Sequence, residues 1–545
     1  MRSFAASTVY QIYVKSFNDS NGDGIGDIKG ITQRLDYLER LGIDYIWVTP
    51  FFCSPLNDNG YDISDYYGID PVFGTEADVD ELIKEADKRG IGLMFDMVFN
   101  HTSTEHEWFK RALTGDERYM DYYIFRDPVN GGVPTNWLSK FGGNAWEYVP
   151  SLGKYYLHLF DRTQADLNWE NPLVREELKN VIRHWKNKGV KGFRFDVINL
   201  ISKPPVFEND CDGDGRRFYT DGPRVHEFIN ELVTDTGIED MVTVGEMSST
   251  SIDNCVRYSN PANKELAMVF NFHHLKVDYK DGDKWELCPP DYMQLKGLFS
   301  DWQTGLLQGG GWNANFWCNH DQPRAVSRFA NDGIYRRRSA KMLATVTHML
   351  RGTPYIFQGE EIGMTNSDFT SIEQYRDVES LNYYNIMLEN GKTSEEAMHT
   401  INERSRDNGR LPMQWDSSEN AGFTSGTPWI GVNGNYKEIN AEAEMQTENS
   451  IFEYYQRLIQ LRKEHDVIVF GSFYEIGGMP EKVFAFERSL GATKIMVFAS
   501  FSDKEEKIEM PDTDGFELLI GNTDNTDVKR SSLAPYEAFV LVTKD

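Results

Sequence analysis

The stretch GFRFDVI at residues 192–198 is an apolar run that ends on a carboxylate, and two later stretches repeat this form. They are VTVGEM (242–247) and CNHDQPR (318–324). Asp196, Glu246 and Asp321 therefore come from three different predicted strands, separated by long stretches with helical patterning. A (β/α)₈ barrel brings the carboxyl ends of its strands together at one face, where the active sites of such barrels lie.

Eight apolar, β-rich runs alternate with amphipathic stretches along most of the chain. They are VYQIYVKSF (9–17), DYIWVTP (44–50), GLMFDMVFN (92–100), GFRFDVI (192–198), VTVGEM (242–247), LAMVFNF (266–272), NANFWCNHD (313–321) and TPYIFQGEE (353–361). Between them lie helical patterns such as 174–185, where apolar side chains recur at helical spacing. Eight strands alternating with helices predict an α/β fold, a closed parallel (β/α)₈ TIM barrel rather than an open sheet.

Two segments depart from this alternation. The stretch between the third and fourth predicted strands is too long for a structureless loop, so we interpret residues 101–167 as an inserted domain. After a predicted helix near 450–463, four strand patterns follow one another without helices, which predicts a C-terminal antiparallel β-sandwich over 466–545. The catalytic barrel is then predicted to comprise residues 1–100 and 168–465.

The composition limits the classes of partner. The chain has 545 residues, with 85 acidic against 56 basic side chains and a net charge of −29. This charge disfavours long-range attraction to nucleic acid or to an anionic membrane. No apolar run approaches the ~20 residues of a membrane-spanning helix, so we expect neither a nucleic-acid nor a membrane partner. An anionic small molecule remains possible because charges more than about 8 Å apart are largely screened, but it would need a local basic pocket.

The cysteines indicate the compartment. Cys53, Cys211, Cys255, Cys288 and Cys318 are scattered, odd in number and without the spacing of a metal site. This is typical of a reducing compartment with unpaired thiols. No basic-plus-apolar segment precedes the first predicted strand, so we expect no secretory signal and a cytoplasmic protein. The sequence leaves the oligomeric state open, and a monomer is compatible with it.

The three carboxylates suit the cleavage of a glycosidic bond, which uses a nucleophile paired with an acid. Residues two apart in a strand point the same way, so Arg194 lies beside Asp196, and its charge favours the ionised carboxylate that a nucleophile requires. Burial near another carboxylate would raise the pKa of Glu246 and keep it protonated as a general acid. Asp321, flanked by His320, is expected to stay ionised. Each group alone could equally be a solvated strand end, but together and in this order they favour catalysis.

These motifs, with DMVFNHTS (96–103) and QADLN (164–168), resemble the alpha-amylase superfamily of glycoside hydrolases over nearly the whole chain. The resemblance implies a retaining mechanism with Asp196 as nucleophile, Glu246 as acid/base and Asp321 as transition-state stabiliser. It also implies that a set of polar groups surrounds the terminal glucose: Asp58, Tyr61, His101, Arg194, His320 and Arg410. Among these, Asp58 and Arg410 would close the non-reducing end and give exo action, and Tyr61 would stack beneath the sugar ring.

The QADLN segment and the residue Val197 are similar to the oligo-1,6-glucosidase branch of that superfamily. Within the branch, four segments are most similar to enzymes that hydrolyse α,α-trehalose 6-phosphate: VGEMSSTS (244–251), FNFHHLKVDYKDGDKW (270–285), RRFYTDGPRVHEF (216–228) and RDNGRLPMQW (406–415). The resemblance implies release of glucose and glucose 6-phosphate through a covalent glucosyl-enzyme intermediate. The alternatives are an oligo-1,6-glucosidase acting on neutral short α-glucosides, and an inactive barrel serving as a transport subunit or scaffold. The second of these is disfavoured because all three carboxylates are present.

A phosphorylated disaccharide carries a charge near −2 at neutral pH and needs local cations in so acidic a protein. Two segments that follow predicted strands supply them: Lys276, Lys280 and Lys284 in one, and Arg216, Arg217 and Arg224 in the other. Such groups form charge-assisted hydrogen bonds to phosphate. Lys276 is the preferred ligand, because isomaltase-like relatives tend to have a non-basic residue there, and Lys284 is the second. Solvated surface lysines are the alternative interpretation.

The loop DSNGDGIGD (19–27) has the features of a metal site. It places Asp19, Asn21, Asp23 and Asp27 at alternating positions, with the carbonyl group of Ile25 among them. Oxygen ligands at this spacing resemble the first part of an EF-hand loop, although the bidentate glutamate is missing. We expect a structural Ca²⁺ in the loop after the first strand, with a metal-free Asx turn as the alternative. No organic cofactor is expected.

Overall fold

A single sheet carries the predicted strands in the computed structural model, which describes residues 4–211 and 213–544. Within these residues the sheet has eight strands: β1 (Val9–Ile12), β2 (Tyr45–Val48), β3 (Gly92–Val98), β4 (Gly192–Asp196), β5 (Val242–Glu246), β6 (Met268–Phe270), β7 (Ala314–Asn315) and β8 (Thr353–Phe357). Their order is β7-β8-β1-β2-β3-β4-β5-β6. Strands β3 to β6 pair in parallel, and β8 pairs in parallel with β1 and with β7.

The strands are apolar because both of their faces are covered. Every residue of β1, β2, β3 and β4 is buried. A parallel sheet covered by helices on its faces requires such continuous apolar runs rather than an alternating pattern. A charged side chain within such a strand is therefore unusual, and Asp96 in β3 and Arg194 in β4 are both of this kind.

The helices between the strands begin and end where the sequence provides caps. Pro172–Lys188, which contains the predicted helix 174–185, begins at Asn171, whose side chain accepts a hydrogen bond from the backbone N–H of Leu173. It ends at Gly189, which adopts the left-handed conformation (φ 107°) that favours glycine. In the described part of the chain, no helix is both long and apolar enough to cross a membrane.

The other α-helices are Ile28–Gln33, Leu35–Leu41, Glu76–Lys88, Glu107–Leu113, Glu117–Met120, Arg216–Tyr219, Val225–Thr236, Ile252–Ser259, Tyr292–Gly309, Ala325–Phe329, Arg336–Met349, Val378–Glu389, Ser394–Arg404, Asp407–Arg410, Ala441–Gln446, Ile451–Glu464 and Asp466–Phe470. Most of the longer ones have an Asn, Asp, Ser or Thr side chain that caps the first turn. Ser450, for example, accepts from the backbone N–H of Glu453.

The stretch between β3 and β4 contains short antiparallel strands. Phe125–Arg126, Lys154–Leu157 and Trp146–Val149 form one sheet, and His101–Ser103 pairs with Gln164–Asp166. A buried cluster that includes Trp137, Trp146, Leu157 and Leu159 stabilises the segment. The segment is therefore structured, as expected for an insertion too long to be a loop. The predicted domain boundaries themselves stay predictions.

The C-terminal part is an antiparallel β domain. Its described residues include a five-stranded sheet of β9 (Tyr474–Glu475), β10 (Val483–Leu490), β11 (Thr493–Ser500), β12 (Phe516–Gly521) and β13 (Ala538–Thr543), in the order β9-β10-β11-β13-β12. A second pair, Glu506–Lys507 with Ser532–Leu533, is also antiparallel. Side chains from both sheets, among them Phe498, Ile508, Leu533 and Phe539, share one buried cluster.

The chain divides into two compact units, and the predicted site residues are divided between them. The first unit comprises Met1–Ile46, Lys88–Ile91 and Phe272–Asp545, and the second comprises Trp47–Asp87 and Gly92–Asn271. Asp196 and Glu246 belong to the second unit, and Asp321 belongs to the first.

Candidate active site

The centre of the site in the second unit is the buried guanidinium of Arg194. Its Nη1 donates to Asp196 Oδ1 and to Asp96 Oδ1, each at 2.7 Å, and its Nη2 donates to Glu246. Asp196 lies two residues further along β4 and so projects to the same face. Asp96 is the partner of Arg194 in the β3–β4 register, and Glu246 is the last residue of β5. Three adjacent strands therefore bring three carboxyl groups to one cation.

Burial opposes the ionisation of Asp96 and Asp196 in this cluster. Three ionised carboxylates on one guanidinium would leave a net charge of −2 in a buried place, which is strongly unfavourable. Burial raises the pKa of Asp196 to about 6, against the lowering effect of Arg194, and Asp96 raises it further. Burial also raises the pKa of Asp96 to about 6. Arg194 lowers the pKa of Asp196, in the predicted direction, but burial has the larger effect.

Glu246 is in direct contact with Asp196. A hydrogen bond from the Glu246 side chain lowers the pKa of Asp196, and both groups bind the same guanidinium. Retaining glycosidases hold their two carboxyl groups about 5–5.5 Å apart, closer together than inverting ones do. The arrangement can therefore supply a nucleophile and a proton donor to the same bond.

Tyr61 is held by Asp96. The Tyr61 hydroxyl donates to Asp96 Oδ2 at 2.9 Å, and the indole N–H of Trp47 donates to the same oxygen at 3.0 Å. The Arg194 guanidinium lies 4.9 Å from the Trp47 ring centroid, in a cation–π contact. The orientation of the Tyr61 ring is thus set by a buried carboxylate, which suits the flat platform predicted for a sugar ring.

Gln164 connects the other predicted sugar ligands of the second unit. Its side-chain amide nitrogen donates to Asp58 Oδ2 at 3.1 Å and to the Tyr61 carbonyl at 3.3 Å, and lies 3.2 Å from His101 Nε2. Burial lowers the pKa of His101 to about 4, so its imidazole is neutral near pH 7. Asn100 contacts the other His101 ring nitrogen at 3.2 Å. Asp58, Tyr61 and His101 therefore form one hydrogen-bonded group.

In the first unit, Asp321 is surrounded by cations. Arg410 Nη2 donates to Asp321 Oδ1 at 2.8 Å, Arg406 Nη1 donates to the same oxygen at 3.3 Å, and His320 Nε2 lies 3.1 Å from Oδ2. Burial raises the pKa of Asp321, but His320 and the two arginines outweigh it and hold that pKa well below its usual range. Asp321 therefore stays ionised well below pH 6, whereas the raised pKa of Asp196 places its ionisation near pH 6.

Asp321 does not lie at a strand end, contrary to the pattern CNHDQPR. Strand β7 contains only Ala314–Asn315, and Asp321 follows in a turn whose backbone is closed by Asn319, which accepts from the Asp321 N–H at 2.8 Å. His320 is held from its other side by Gln11, whose side-chain nitrogen lies 2.8 Å from Nδ1. The ring of Tyr13 stacks on His320 with 8° between the planes.

A buried ion-pair network extends from Asp321 to Lys284. Arg406 Nη2 donates to Asp377 at 2.6 Å, and its Nε lies 3.5 Å from Glu379. Lys284 donates to the same oxygen of Glu379 at 2.7 Å. Lys284, predicted as a phosphate ligand, is thus already neutralised by a carboxylate.

Lys276 is exposed at the end of the 3₁₀ segment His273–Lys276. Burial, together with the charge of Lys276, lowers the pKa of His273 to about 4, so His273 is a neutral neighbour of a cation. The three arginines predicted as alternative phosphate ligands all pair with carboxylates of their own unit: Arg216 with Asp214, Arg217 with Asp210, and Arg224 with Glu170 and Glu227. Lys276 as a phosphate ligand stays a prediction.

The loop 19–27 is closed by hydrogen bonds of its own. Asp19 accepts from the backbone N–H groups of Asn21, Gly22 and Gly24, and Asp27 caps the helix Ile28–Gln33 by accepting from Gly30. In residues 4–211 and 213–544, no group of three or more His, Cys, Asp or Glu side chains lies close enough together to hold a metal ion. The donor set consists of oxygens, as Ca²⁺ requires, but an ion would have to compete with these backbone bonds. The Ca²⁺ site stays a prediction.

Several residues of the site were missed in the sequence. Asp96 is the single charge in the apolar run GLMFDMVFN, and a lone carboxylate in a buried strand needs a partner. Arg406 lies four residues before Arg410 on one helical face, a spacing that places both beside the same partner. Gln164 is the first residue of QADLN, a motif that was noted for its resemblance and not for its contacts.

Comparison with known proteins places the chain in a family. A sequence model described as the alpha amylase catalytic domain matches residues 11–471. The chain belongs to the alpha-amylase family. It is 54% identical to the trehalose-6-phosphate hydrolase of Bacillus subtilis, over 98% of this chain and 97% of that protein. It is 50% identical to the oligo-1,6-glucosidase of Parageobacillus thermoglucosidasius, over 98% of each.

Solved structures agree with this assignment. A crystal structure of Bacillus licheniformis trehalose-6-phosphate hydrolase matches with a TM-score of 0.96 and 54% identity, covering 99% of this chain and 100% of that one. The predicted fold class and the predicted family, with its glycoside hydrolase chemistry, are thereby confirmed. Relatives named for two different substrates are 54% and 50% identical to this chain. Overall identity therefore does not decide the substrate, which depends on individual residues of the site.

Proposed function

We propose that this chain is an α,α-phosphotrehalase, a retaining glycoside hydrolase that cleaves α,α-trehalose 6-phosphate into glucose and glucose 6-phosphate. The observation that carries the chemistry is that the carboxyl groups of Asp196 and Glu246 bind the same guanidinium, that of Arg194. The substrate is supported by relatives of that name at 54% and 50% identity over nearly the whole chain.

The proposed reaction has two steps. The Asp196 carboxylate attacks the anomeric carbon of the unphosphorylated glucose, and Glu246 gives its proton to the glycosidic oxygen as glucose 6-phosphate leaves. The product of this step is a β-glucosyl ester on Asp196. Glu246, now ionised, takes a proton from water, which attacks the anomeric carbon and releases glucose. The ionised Asp321 would stabilise the positive charge that develops on the sugar ring.

Phosphate recognition is the part of the proposal that depends on a single residue. Lys276 is exposed and lies near His273, whose lowered pKa of about 4 keeps its imidazole neutral. A charge-assisted bond of this kind is worth about 1.5–3 kcal/mol. We propose Lys276 as the phosphate ligand, and Lys284 as a residue that contributes only if it leaves Glu379.

The second candidate is a neutral-substrate oligo-1,6-glucosidase. The ion pair between Lys284 and Glu379 favours it, because that pair removes one of the predicted phosphate ligands. A relative of this name at 50% identity also supports it.

The substrate test compares kcat/KM for trehalose 6-phosphate, trehalose and isomaltose. We expect the phosphorylated disaccharide to be preferred over trehalose by about 100-fold, since one or two charge-assisted bonds correspond to that factor. Substitution of Lys276 by Ala should raise KM for trehalose 6-phosphate and leave trehalose unchanged. High salt should weaken the preference, because it screens an exposed lysine. A chain that hydrolyses isomaltose best contradicts the proposal.

Two further properties are proposed. We infer a structural Ca²⁺ in the loop 19–27 because the loop offers five oxygen ligands from Asp19, Asn21, Asp23, Ile25 and Asp27 at the spacing that this ion accepts. We also infer a cytoplasmic reaction, supported by the five cysteines, all of which are free thiols in the structure.

A further inference from the structure

Asp278 is a buried carboxylate held by two arginines. Its side chain is 3% exposed, and those of Arg328 and Arg404 are 3% and 5% exposed. Arg328 donates to both Asp278 oxygens, from Nη2 at 2.7 Å and from Nε at 2.8 Å. Arg404 donates to Oδ2 and, at 2.6 Å, to the Asp278 backbone carbonyl. Burial raises the pKa of Asp278, but the two arginines outweigh it and lower that pKa below its usual value, so the group is ionised.

This cluster fixes the backbone of the segment 273–284, which we call the basic segment because it carries Lys276, Lys280 and Lys284. Besides the Asp278 carbonyl, the Leu275 carbonyl accepts from Arg328 Nη2. The two carbonyls lie on either side of Lys276 in the sequence. The segment is otherwise made of short 3₁₀ turns, and Asp281 within it has a φ of 53°. Regular secondary structure therefore does little to hold Lys276, and the arginines act in its place.

The same cluster connects the basic segment to the site residues of the first unit. Arg328 Nη1 donates to the side chain of Gln322 at 2.8 Å, and Gln322 is the residue after Asp321. Arg404 precedes Arg406, which contacts Asp321, by two residues. Buried, charged hydrogen bonds thus connect the backbone around Lys276 to the residues beside Asp321. Charge-assisted bonds of this kind are among the strongest in proteins.

We propose that Asp278 is a positioning residue for phosphate specificity: with Arg328 and Arg404 it fixes the backbone on both sides of Lys276, the proposed phosphate ligand. The inference rests on the proposed function. In this proposal, buried side chains that do not contact the substrate determine the discrimination between a phosphorylated and a neutral disaccharide.

The substitution Asp278→Asn separates positioning from simple electrostatics. It removes a negative charge near the proposed phosphate site, so a purely electrostatic role predicts tighter binding of a dianion. A positioning role predicts the opposite, because an amide cannot hold two guanidinium groups as a carboxylate does. We expect Asp278→Asn to raise KM for trehalose 6-phosphate about tenfold or more, the factor that corresponds to one charge-assisted bond. Its kcat/KM for trehalose should stay within about twofold of the wild type.

The matched control is Asp281→Asn, which makes the same charge change at an exposed position of the same segment. Asparagine tolerates the positive φ of this position, so both substrates should be hydrolysed as by the wild type. In a Lys276→Ala background, Asp278→Asn should have no further effect on the substrate ratio, because the lysine it positions is gone. If Asp278→Asn does not fold, Arg404→Lys replaces it, since lysine keeps the charge but loses the fork that holds both carboxylate and carbonyl.

Three results would overturn the inference. They are a lower KM for trehalose 6-phosphate in Asp278→Asn, an equal loss on both substrates, and additive effects of Asp278→Asn and Lys276→Ala. Failure of the proposed function looks different, because the wild-type enzyme itself would then show no preference for the phosphorylated substrate.

Discussion

Arg194 binds the carboxyl groups of Asp96, Asp196 and Glu246, so three carboxyl groups share one positive charge. Neither composition nor motif could reveal it, because the third carboxylate, Asp96, comes from a different strand. The sequence did place Arg194 and Asp196 on one face from their spacing alone. It could not weigh the guanidinium against burial, since the degree of burial depends on the packing of three strands.

A pH profile follows from this cluster. The pKa of Asp196 is raised to about 6 by burial, and the nucleophile must be ionised. As the pH falls through about 6 the carboxylate gains a proton, so kcat/KM for an aryl α-glucoside should fall about tenfold per pH unit below that value. Asp321, whose pKa lies well below its usual range, does not titrate in this window. An acidic limb at pH 4 or below, measured while circular dichroism shows the fold intact, would disprove this assignment.

Gln164 provides a second prediction at the level of single residues. Its amide links Asp58, the Tyr61 backbone and His101. Substitution by Ala removes the hydrogen bonds of this amide beside the predicted glucose ligands, and kcat/KM should fall about tenfold or more. The loss should be equal for trehalose 6-phosphate and trehalose, because both present the same glucose. A loss confined to the phosphorylated substrate would show that Gln164 acts elsewhere.

Among the elements, the strands were predictable and their exact ends were not. All eight runs of the sequence contain a strand of the sheet, because buried parallel strands are continuous apolar runs. The seventh run, NANFWCNHD, is apolar over a longer stretch than the strand Ala314–Asn315, since its aromatic residues pack in the core without pairing as a strand. Asp321 therefore lies in a turn. A strand pattern in the sequence could not predict where the side chain of a turn residue lies.

The loop 19–27 gives a prediction about metal removal. If Ca²⁺ binds there, a chelator should lower the melting temperature by a few degrees, and added Ca²⁺ should restore it, because a ligand of the native state stabilises by mass action. The variant Asp23→Ala should melt at the lower temperature and no longer respond to chelator. Because the loop's carboxylates accept backbone N–H groups, an unchanged melting temperature would favour the metal-free Asx turn instead.

For the whole molecule, the order of strand and helix patterns predicted the class of fold, but not the contacts that hold its parts together. The antiparallel C-terminal sheet was evident from strand patterns without helices between them. The contacts that hold this sheet in place were not evident from the sequence. They depend on Arg488, a buried arginine that contacts no carboxylate among the described residues. The guanidinium donates to the backbone carbonyls of Met349, Ile468, Gly471 and Ser472. Contacts between residues so far apart in the chain cannot be derived from local patterns.

Arg488 should therefore be essential for stability. Replacing it by Ala leaves several buried carbonyls without a donor, and we expect a loss of about 3 kcal/mol or more in the free energy of unfolding. Lys494→Ala on the neighbouring strand is the control, because its exposed pair with Glu487 is worth less than about 1 kcal/mol. Thermal melting of both variants measures the difference, and equal melting temperatures would refute the role given to Arg488.

In the proposed mechanism, Asp196 is the nucleophile among three carboxyl groups that share one arginine. Incubation with 5-fluoro-α-D-glucosyl fluoride, which slows breakdown of a glucosyl-enzyme, followed by peptide mass spectrometry, identifies the residue that reacts. We predict one fluoroglucosyl group per chain, on the peptide containing Asp196. A label on Asp96 or Glu246, or no label while the substrate is hydrolysed, would contradict the mechanism.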